Sequence, residues 1–113
     1  MTDAAERALL AFSTAADEAS AAGLARCLLE ERLAACVNIV PGLRSMYWWQ
    51  GRIEEGAECL LVIKTTAARW PALKDRLPQL HAYDVPELVA TEITDGLEPY
   101  LRWLISEVQG VAR

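Results

Sequence analysis

Histidine and cysteine are scarce in this sequence of 113 residues, which holds one His and three Cys. The cysteines Cys27, Cys36 and Cys59 are odd in number and form no C-x-x-C pair. This spacing argues against a disulfide framework and against a structural zinc site. We interpret the three as reduced thiols that pack as small apolar groups, which is typical of a cytoplasmic protein.

Long runs of apolar residues and of basic residues are also absent. No stretch approaches the ~20 apolar residues of a membrane span, and residues 1–6 have neither the basic flank nor the apolar run of a secretory signal. The net charge is -5 and no Lys/Arg run occurs, whereas nucleic-acid binding needs a basic surface. The sequence therefore predicts a cytoplasmic protein with no membrane or nucleic-acid partner.

The common catalytic motifs are missing as well. There is no G-x-S-x-G, no H-E-x-x-H and no phosphate-binding loop. With a single histidine and no obvious pair of carboxylates, general acid–base chemistry has few candidate residues. We therefore expect a protein that is not an enzyme.

The length fits one domain over residues 1–113, with residues 1–6 expected to be flexible. Hydrophobic residues make up 53% of the chain. This is above the usual share of roughly 45–50%, so part of the surface is expected to be hidden against another chain.

Hydrophobic periodicity predicts the order β-α-β-β-α-β followed by a C-terminal helix. The predicted strands are 8–12, 35–49 with a break at Pro41-Gly42, 57–66 after a hairpin turn at Gln50-Gly51, and 88–93. The predicted helices begin at Asp17, near Ala68 and after Asp95-Gly96, and Pro78 is expected to close the second. This order indicates an α+β, ferredoxin-like sandwich with helices on one face of an antiparallel sheet.

The hairpin between the second and third strands is long for a domain of this size. Segment 37–49 spans roughly 44 Å when extended, against a domain diameter of about 35 Å. Its end carries Met46, Tyr47, Trp48 and Trp49, and a bare aromatic hairpin with free edges favours aggregation. We expect a partner chain to cover it; the alternative is that the C-terminal helix folds back over the tip.

Several separated segments, in order, resemble the divalent-cation tolerance (CutA) family across residues 8–108. The segments that carry the resemblance are 13–19, 31–38, 41–42, 45–51, 63–66, 83–88 and 100–104. The resemblance implies a ferredoxin-like subunit in a tight homotrimer, built like the PII-like signalling proteins. It also implies a link to divalent-metal tolerance and copper binding, with copper or another divalent cation as a ligand that is not obligatory.

The copper site implied by the resemblance is incomplete in this sequence. Bacterial relatives place a Cys at the end of the first strand and two adjacent His before the Tyr-x-x-Pro-Glu motif. Here Ser13 and Leu80 stand at two of those positions and only His81 remains. Hydroxyl and leucine side chains replace soft copper ligands poorly, so we expect weak copper binding through His81.

A second candidate site is a cleft between subunits, since ligand pockets often lie at interfaces. Its expected residues are Cys36, Tyr47, Trp49, Lys64, Tyr83, Glu87 and Trp103. Lys64 is interpreted either as an anion-binding group, with Glu87 as its ion-pair partner, or as a charge emerging at a strand end. The aromatic residues either line a pocket or pack the interface, and Cys36 is either buried or a soft metal ligand.

Two classes of function follow. One is a metal-responsive or small-molecule-sensing trimer of the PII-like kind, and the other is a structural scaffold without a ligand. A convergent polar set in the cleft favours the first, and a cleft filled by aromatic side chains favours the second.

Overall fold

A computed structural model describes residues 6–109 of the chain. Its elements are β1 (Ala8–Ala15), α1 (Glu18–Glu30), β2 (Cys36–Trp49), β3 (Arg52–Thr66), α2 (Trp70–Leu80), β4 (Val89–Glu92) and α3 (Glu98–Val108). This confirms the predicted β-α-β-β-α-β order with a C-terminal helix. The expected flexibility of the first six residues falls on positions 1–5, which lie outside the described residues, and on Glu6.

The four strands form one antiparallel sheet with the order β2-β3-β1-β4. This order is the one expected for a ferredoxin-like sandwich. β1 lies at the centre, where Phe12 is paired with Val62 of β3 on one side and with Val89 of β4 on the other. The short β4 and the long β2 are therefore the two edges of the sheet.

The β2–β3 hairpin has the turn and the bulge that the sequence predicts. The paired residues Trp49 and Arg52 are connected by Gln50 and Gly51. Gln50 has a φ of 50° and Gly51 a φ of 79°. A two-residue turn with this geometry matches the twist of antiparallel strands. The register shifts between Val40 and Leu43, where Gly42 has a φ of 79°.

The hydrophobic core lies between one face of the sheet and helices α1 and α2. Alternate residues of β3 are buried on that face, among them Cys59, Leu61 and Ile63. They belong to one cluster with Leu28 of α1 and Leu73 of α2, among others. The period-two burial of the strand and the helical spacing of the leucines thus meet in a single core.

α3 begins on the opposite face of the sheet. Lys64 follows Ile63 in β3 and so points away from the core, and its Nζ lies 5.7 Å from the centre of the Tyr100 ring. Lys64 is at the end of β3 remote from the hairpin turn. The predicted one-sided placement of helices therefore holds for α1 and α2 only, and α3 does not fold over the hairpin tip.

Several element boundaries differ from the prediction. β1 continues past Phe12 to Ala15. β3 begins at Arg52 and not at Ala57, because the tight turn brings 52–56 directly alongside β2, with Trp48 paired to Ile53 and Tyr47 to Glu54. α2 continues past Pro78 to Leu80. The amide of His81 still donates to the carbonyl of Leu77, at 3.0 Å, and this bond holds the last turn in helical form.

Candidate functional site

A cavity of about 620 Å³ opens beside the hairpin, where β1 ends and the loop after α2 passes. It is framed by β1, by the outer half of β2, by β3 and by that loop. Its lining residues are Thr14, Arg44, Ser45, Met46, Tyr47, Trp49, Glu58, Tyr83, Asp84, Val85 and Glu87. This volume lies within the range of pockets that hold small organic ligands.

Tyr83 and Glu58 form the polar floor of the cavity. The Tyr83 hydroxyl donates to Oε2 of Glu58 at 2.7 Å. Burial of the phenol, and then its hydrogen bond to Glu58, raise the pKa of Tyr83 to about 12. The hydroxyl therefore stays protonated at neutral pH and remains a donor to the carboxylate.

His81 anchors the loop that carries Tyr83. Its Nδ1 accepts from the Tyr83 amide at 3.1 Å, and its Nε2 lies 2.7 Å from the Thr14 carbonyl oxygen. Since Nδ1 accepts and the carbonyl can only accept, Nε2 carries the proton and the imidazole is neutral. The two rings also contact each other, with centroids 4.7 Å apart. The two hydrogen bonds of the imidazole thus hold the loop against the end of β1.

The charges around the cavity are mainly negative. Glu58, Asp84 and Glu87 line it, and Arg44 is the one cationic residue of the lining. The Arg44 guanidinium is already paired with Glu55 on the neighbouring strand. Among the described residues no ion pair is formed by Asp84 or Glu87, so the cavity presents carboxylates without a free countercharge.

The predicted cleft residues fall into two groups within the single chain. Tyr47, Trp49, Tyr83 and Glu87 line the cavity together. The remaining predicted residues, Cys36, Lys64 and Trp103, lie at the other end of the hairpin, where Cys36 pairs with Lys64 and the Trp103 ring contacts that of Tyr100 at a tilt. That the two groups meet in one cleft between neighbouring chains stays a prediction.

Lys64 contacts an aromatic ring instead of a carboxylate. Its ammonium lies over Tyr100, and within residues 6–109 no ion pair joins it to Glu87. The reason is the length of β3: Glu58, at the cavity, and Lys64 are six residues apart on the strand, or roughly 20 Å. The predicted Lys64–Glu87 pair is thus not formed within the subunit.

The positions implied for copper binding differ in their surroundings. Ser13 is completely buried, and its Oγ has no hydrogen-bond partner. Leu80 is half-buried against the core and lines a smaller cleft of about 310 Å³ with His81 and Cys27. In the part of the chain that the structure describes, no group of three His, Cys, Asp or Glu side chains could hold a metal ion.

Sequence reasoning missed Glu58, Thr14 and Asp84 as parts of the site. A signal existed for Glu58, because it is the carboxylate that precedes the apolar run of β3. Thr14 contributes a backbone carbonyl, which side-chain patterns do not reveal. Asp84 lies in the predicted loop but has no motif of its own.

Among the helices of residues 6–109, none is both long and apolar enough to cross a membrane. The fold and the cavity define a ferredoxin-like α+β protein with a long exposed hairpin and an acidic, aromatic cavity beside the outer half of that hairpin. Residues 9–107 match the family model described as CutA1 divalent ion tolerance protein. The chain therefore belongs to the CutA1 family, as its sequence motifs indicated.

Named relatives and solved structures agree with this assignment. The divalent-cation tolerance protein CutA of Thermus thermophilus is 54% identical over 91 residues, which cover 80% of this chain and 88% of that protein. Human Protein CutA is 42% identical over 90% of this chain, but the chain spans only 57% of its length. The crystal structure of CutA from Xylella fastidiosa has a TM-score of 0.88 and 45% identity, covering 91% of this chain and 99% of that one. CutA1 from Oryza sativa has a TM-score of 0.90 at 38% identity, covering 96% and 99% of the two chains.

Proposed function

We propose that this chain is a divalent-cation tolerance protein that works as a homotrimer of the PII-like kind and not as an enzyme. The observation that carries the trimer is the exposed hairpin tip. Trp48 is 72% exposed, Met46 64% and Ile53 61%, on two paired strands of which β2 is an edge. Apolar side chains in such a cluster normally mark a surface that another chain covers.

Sedimentation velocity at micromolar concentration tests the assembly. The expected result is one species with three times the mass of a single chain. A species with the mass of one 12.5 kDa chain would contradict the proposal.

Copper binding is proposed to be weak, through His81. Two observations support this: both ring nitrogens of His81 are already engaged, and Ser13 and Leu80 replace the implied family ligands. A metal at Nδ1 must first displace the amide of Tyr83. Divalent cations are in this view occasional ligands and not resident cofactors.

The copper proposal is tested by restoring the implied ligands. Ser13→Cys combined with Leu80→His is expected to bind copper(II) more tightly than the parent, by at least roughly tenfold, because thiolate and imidazole are better copper ligands. Isothermal titration measures the change, and Ser13→Ala with Leu80→His is the control for the thiol. Equal affinity of the restored variant and the parent would place the site elsewhere.

A second candidate function is the sensing of a small molecule in the cleft. The observation in its favour is the open 620 Å³ cavity with its polar floor, since a cleft filled by aromatic side chains would favour a scaffold without a ligand. The absence of catalysis is supported by His81, because both of its ring nitrogens are engaged by backbone groups and neither is available as a general base. The cytoplasmic location is supported by Cys27, Cys36 and Cys59, which are all free thiols.

A further inference from the structure

The cavity beside the hairpin has negative charge that the subunit does not neutralise. Glu58 uses Oε2 for the Tyr83 hydroxyl, and within residues 6–109 its Oε1 has no protein donor. Asp84 and Glu87, in the loop after α2, are exposed and form no ion pair among the described residues, and Arg44 is paired with Glu55. Within one chain the cavity therefore favours a ligand that carries positive charge.

The arrangement of the carboxylates does not suit a bare metal ion. A hard divalent cation gathers six or more oxygens at about 2.0–2.6 Å, so its protein ligands must converge on one point. Among the described residues no three His, Cys, Asp or Glu side chains converge in this way. The negative groups are instead spread around a cavity of about 620 Å³. Spread carboxylates match several cationic centres separated by a spacer.

The other walls fit such a spacer. Trp49 and Val85 give the cavity apolar surface, and Tyr47 and Tyr83 add aromatic rings. Aromatic rings attract ammonium groups through their quadrupole, and apolar side chains favour contact with methylene groups. The lining thus contains both carboxylates that can pair with ammonium groups and apolar surface that can contact an alkyl chain.

We propose that this cavity binds an aliphatic polyamine, whose ammonium groups pair with Glu58, Asp84 and Glu87 and whose methylene chain lies against Trp49. The proposal deepens the second candidate function given above and rests on it, because it names the ligand class of the same cleft. The neutral His81 ring holds Tyr83, and Tyr83 in turn orients the Glu58 carboxylate toward the ligand.

The test is titration of the assembled parent protein with spermidine, followed by calorimetry and by tryptophan fluorescence. Saturable binding with one ligand for each cavity is expected, and 1,8-octanediol, which has a chain but no charge, is expected not to bind. Asp84→Asn combined with Glu87→Gln should weaken binding by at least roughly tenfold, since charge-assisted hydrogen bonds are lost. Both side chains are exposed, so this variant is expected to fold normally.

Two further variants distinguish binding at a defined site from general electrostatic attraction of spermidine to an acidic protein. Glu58→Gln keeps an acceptor for Tyr83 but removes the charge at the floor, and it should also weaken spermidine binding. Glu30→Gln removes the same charge at the far end of α1, where the side chain is exposed, and should leave binding unchanged. Equal loss in Glu30→Gln, or displacement of spermidine by an equal concentration of Mg²⁺, would overturn the proposal.

The result also separates this inference from the proposed function. If a neutral or anionic metabolite changes the tryptophan fluorescence of the parent but not of Trp49→Ala, and spermidine does not bind, the polyamine is wrong and the ligand-binding cleft remains in place. If neither spermidine nor a panel of nucleotides and organic acids binds, both the polyamine and the sensing function are wrong.

Discussion

Two hydroxyl side chains in the core share full burial but differ in their hydrogen bonds. Thr65 and Ser13 are each 0% exposed. The Thr65 hydroxyl donates to the carbonyl of Leu33 at 2.7 Å and so ties β3 to the segment after α1. The Ser13 hydroxyl has no partner. A buried polar group without a partner loses its hydrogen bonds to water and gains none in the protein. Removal of the hydroxyl should therefore change the stability of the protein in opposite directions at the two positions.

Removal of the Ser13 hydroxyl is expected to stabilise the protein. Ser13→Ala should raise the free energy of unfolding by about 1 kcal/mol, because an unsatisfied buried group is deleted at little cost in volume. The matched variant Thr65→Val should lower it by about 1 kcal/mol, because the Leu33 carbonyl loses its donor. Denaturant unfolding at one fixed protein concentration measures both. A loss of stability in Ser13→Ala would mean that the hydroxyl has a partner in solution.

Single residues were predictable where their rarity or chemistry singled them out. His81 could be found from the sequence because it is the only histidine. Its role could not, because its partners are the carbonyl of Thr14 and the amide of Tyr83. Backbone groups are present at nearly every position, so no side-chain pattern indicates which of them will be near.

At the scale of elements, α1 and the β2–β3 hairpin each contain a glycine with free space around it. A Cβ built on Gly23, inside α1, or on Gly42, at the bulge of β2, would meet no atom within 4 Å. The response of each position to an added Cβ therefore depends on its backbone conformation. Gly42 has a φ of 79°, which residues with a side chain disfavour, while Gly23 is part of a regular helix.

The same substitution should consequently have opposite effects at the two positions. Gly23→Ala is expected to raise the free energy of unfolding by about 1 kcal/mol, because alanine loses less backbone entropy in a helix. Gly42→Ala is expected to lower it by about 1–2 kcal/mol, because the left-handed conformation then costs energy. Parallel chemical denaturation of both variants gives the comparison. Destabilisation by Gly23→Ala would indicate that this face of α1 is in contact with something in the assembly.

The elements show where sequence patterns are sufficient. Gln50-Gly51 and Pro41-Gly42 were identified as turn and bulge because both act through local backbone preference. The start of β3 was missed because 52–56 contain Glu54, Glu55 and Gly56, which favour strands weakly. Pairing with β2 imposes the strand on this segment, and that pairing depends on the turn and not on the segment's own composition. Within one chain the length of β3 separates Lys64 from Glu87, and their pairing between two chains stays a prediction.

At the scale of the whole molecule, the hairpin makes the chain elongated. Its principal extents are 47 × 28 × 23 Å. α1 and α2 cover the part of the sheet near Leu61 and Ile63, and α3 covers the end near Lys64. The distal part of the hairpin is left with exposed aromatic side chains on a free edge. Such a surface is unfavourable for a single chain in water, and association removes it.

The two tryptophans at the tip should therefore differ in their effect on assembly. Tyr47 and Trp49 line the cavity, and strand alternation points Trp48 the other way, across from the exposed Ile53. We expect Trp48 to contact a neighbouring subunit and Trp49 to contact the ligand. Burial of Trp48 in the interface would make its truncation costly, since an aromatic residue changed to Ala in a packed site loses about 3–5 kcal/mol.

Trp48→Ala is accordingly expected to weaken the oligomer. The aromatic contact is lost at every interface of a symmetric assembly. Its melting temperature should lie below that of the parent and fall further over a hundredfold dilution series, roughly as mass action requires for a dissociating assembly. Trp49→Ala, the matched control, should keep the melting behaviour of the parent at every concentration and lose binding in the cavity instead. If Trp48→Ala melts like the parent throughout the series, the tip is ordinary surface. If only Trp49→Ala dissociates, the subunits meet at the cavity, and the face that carries Trp48 remains in solvent.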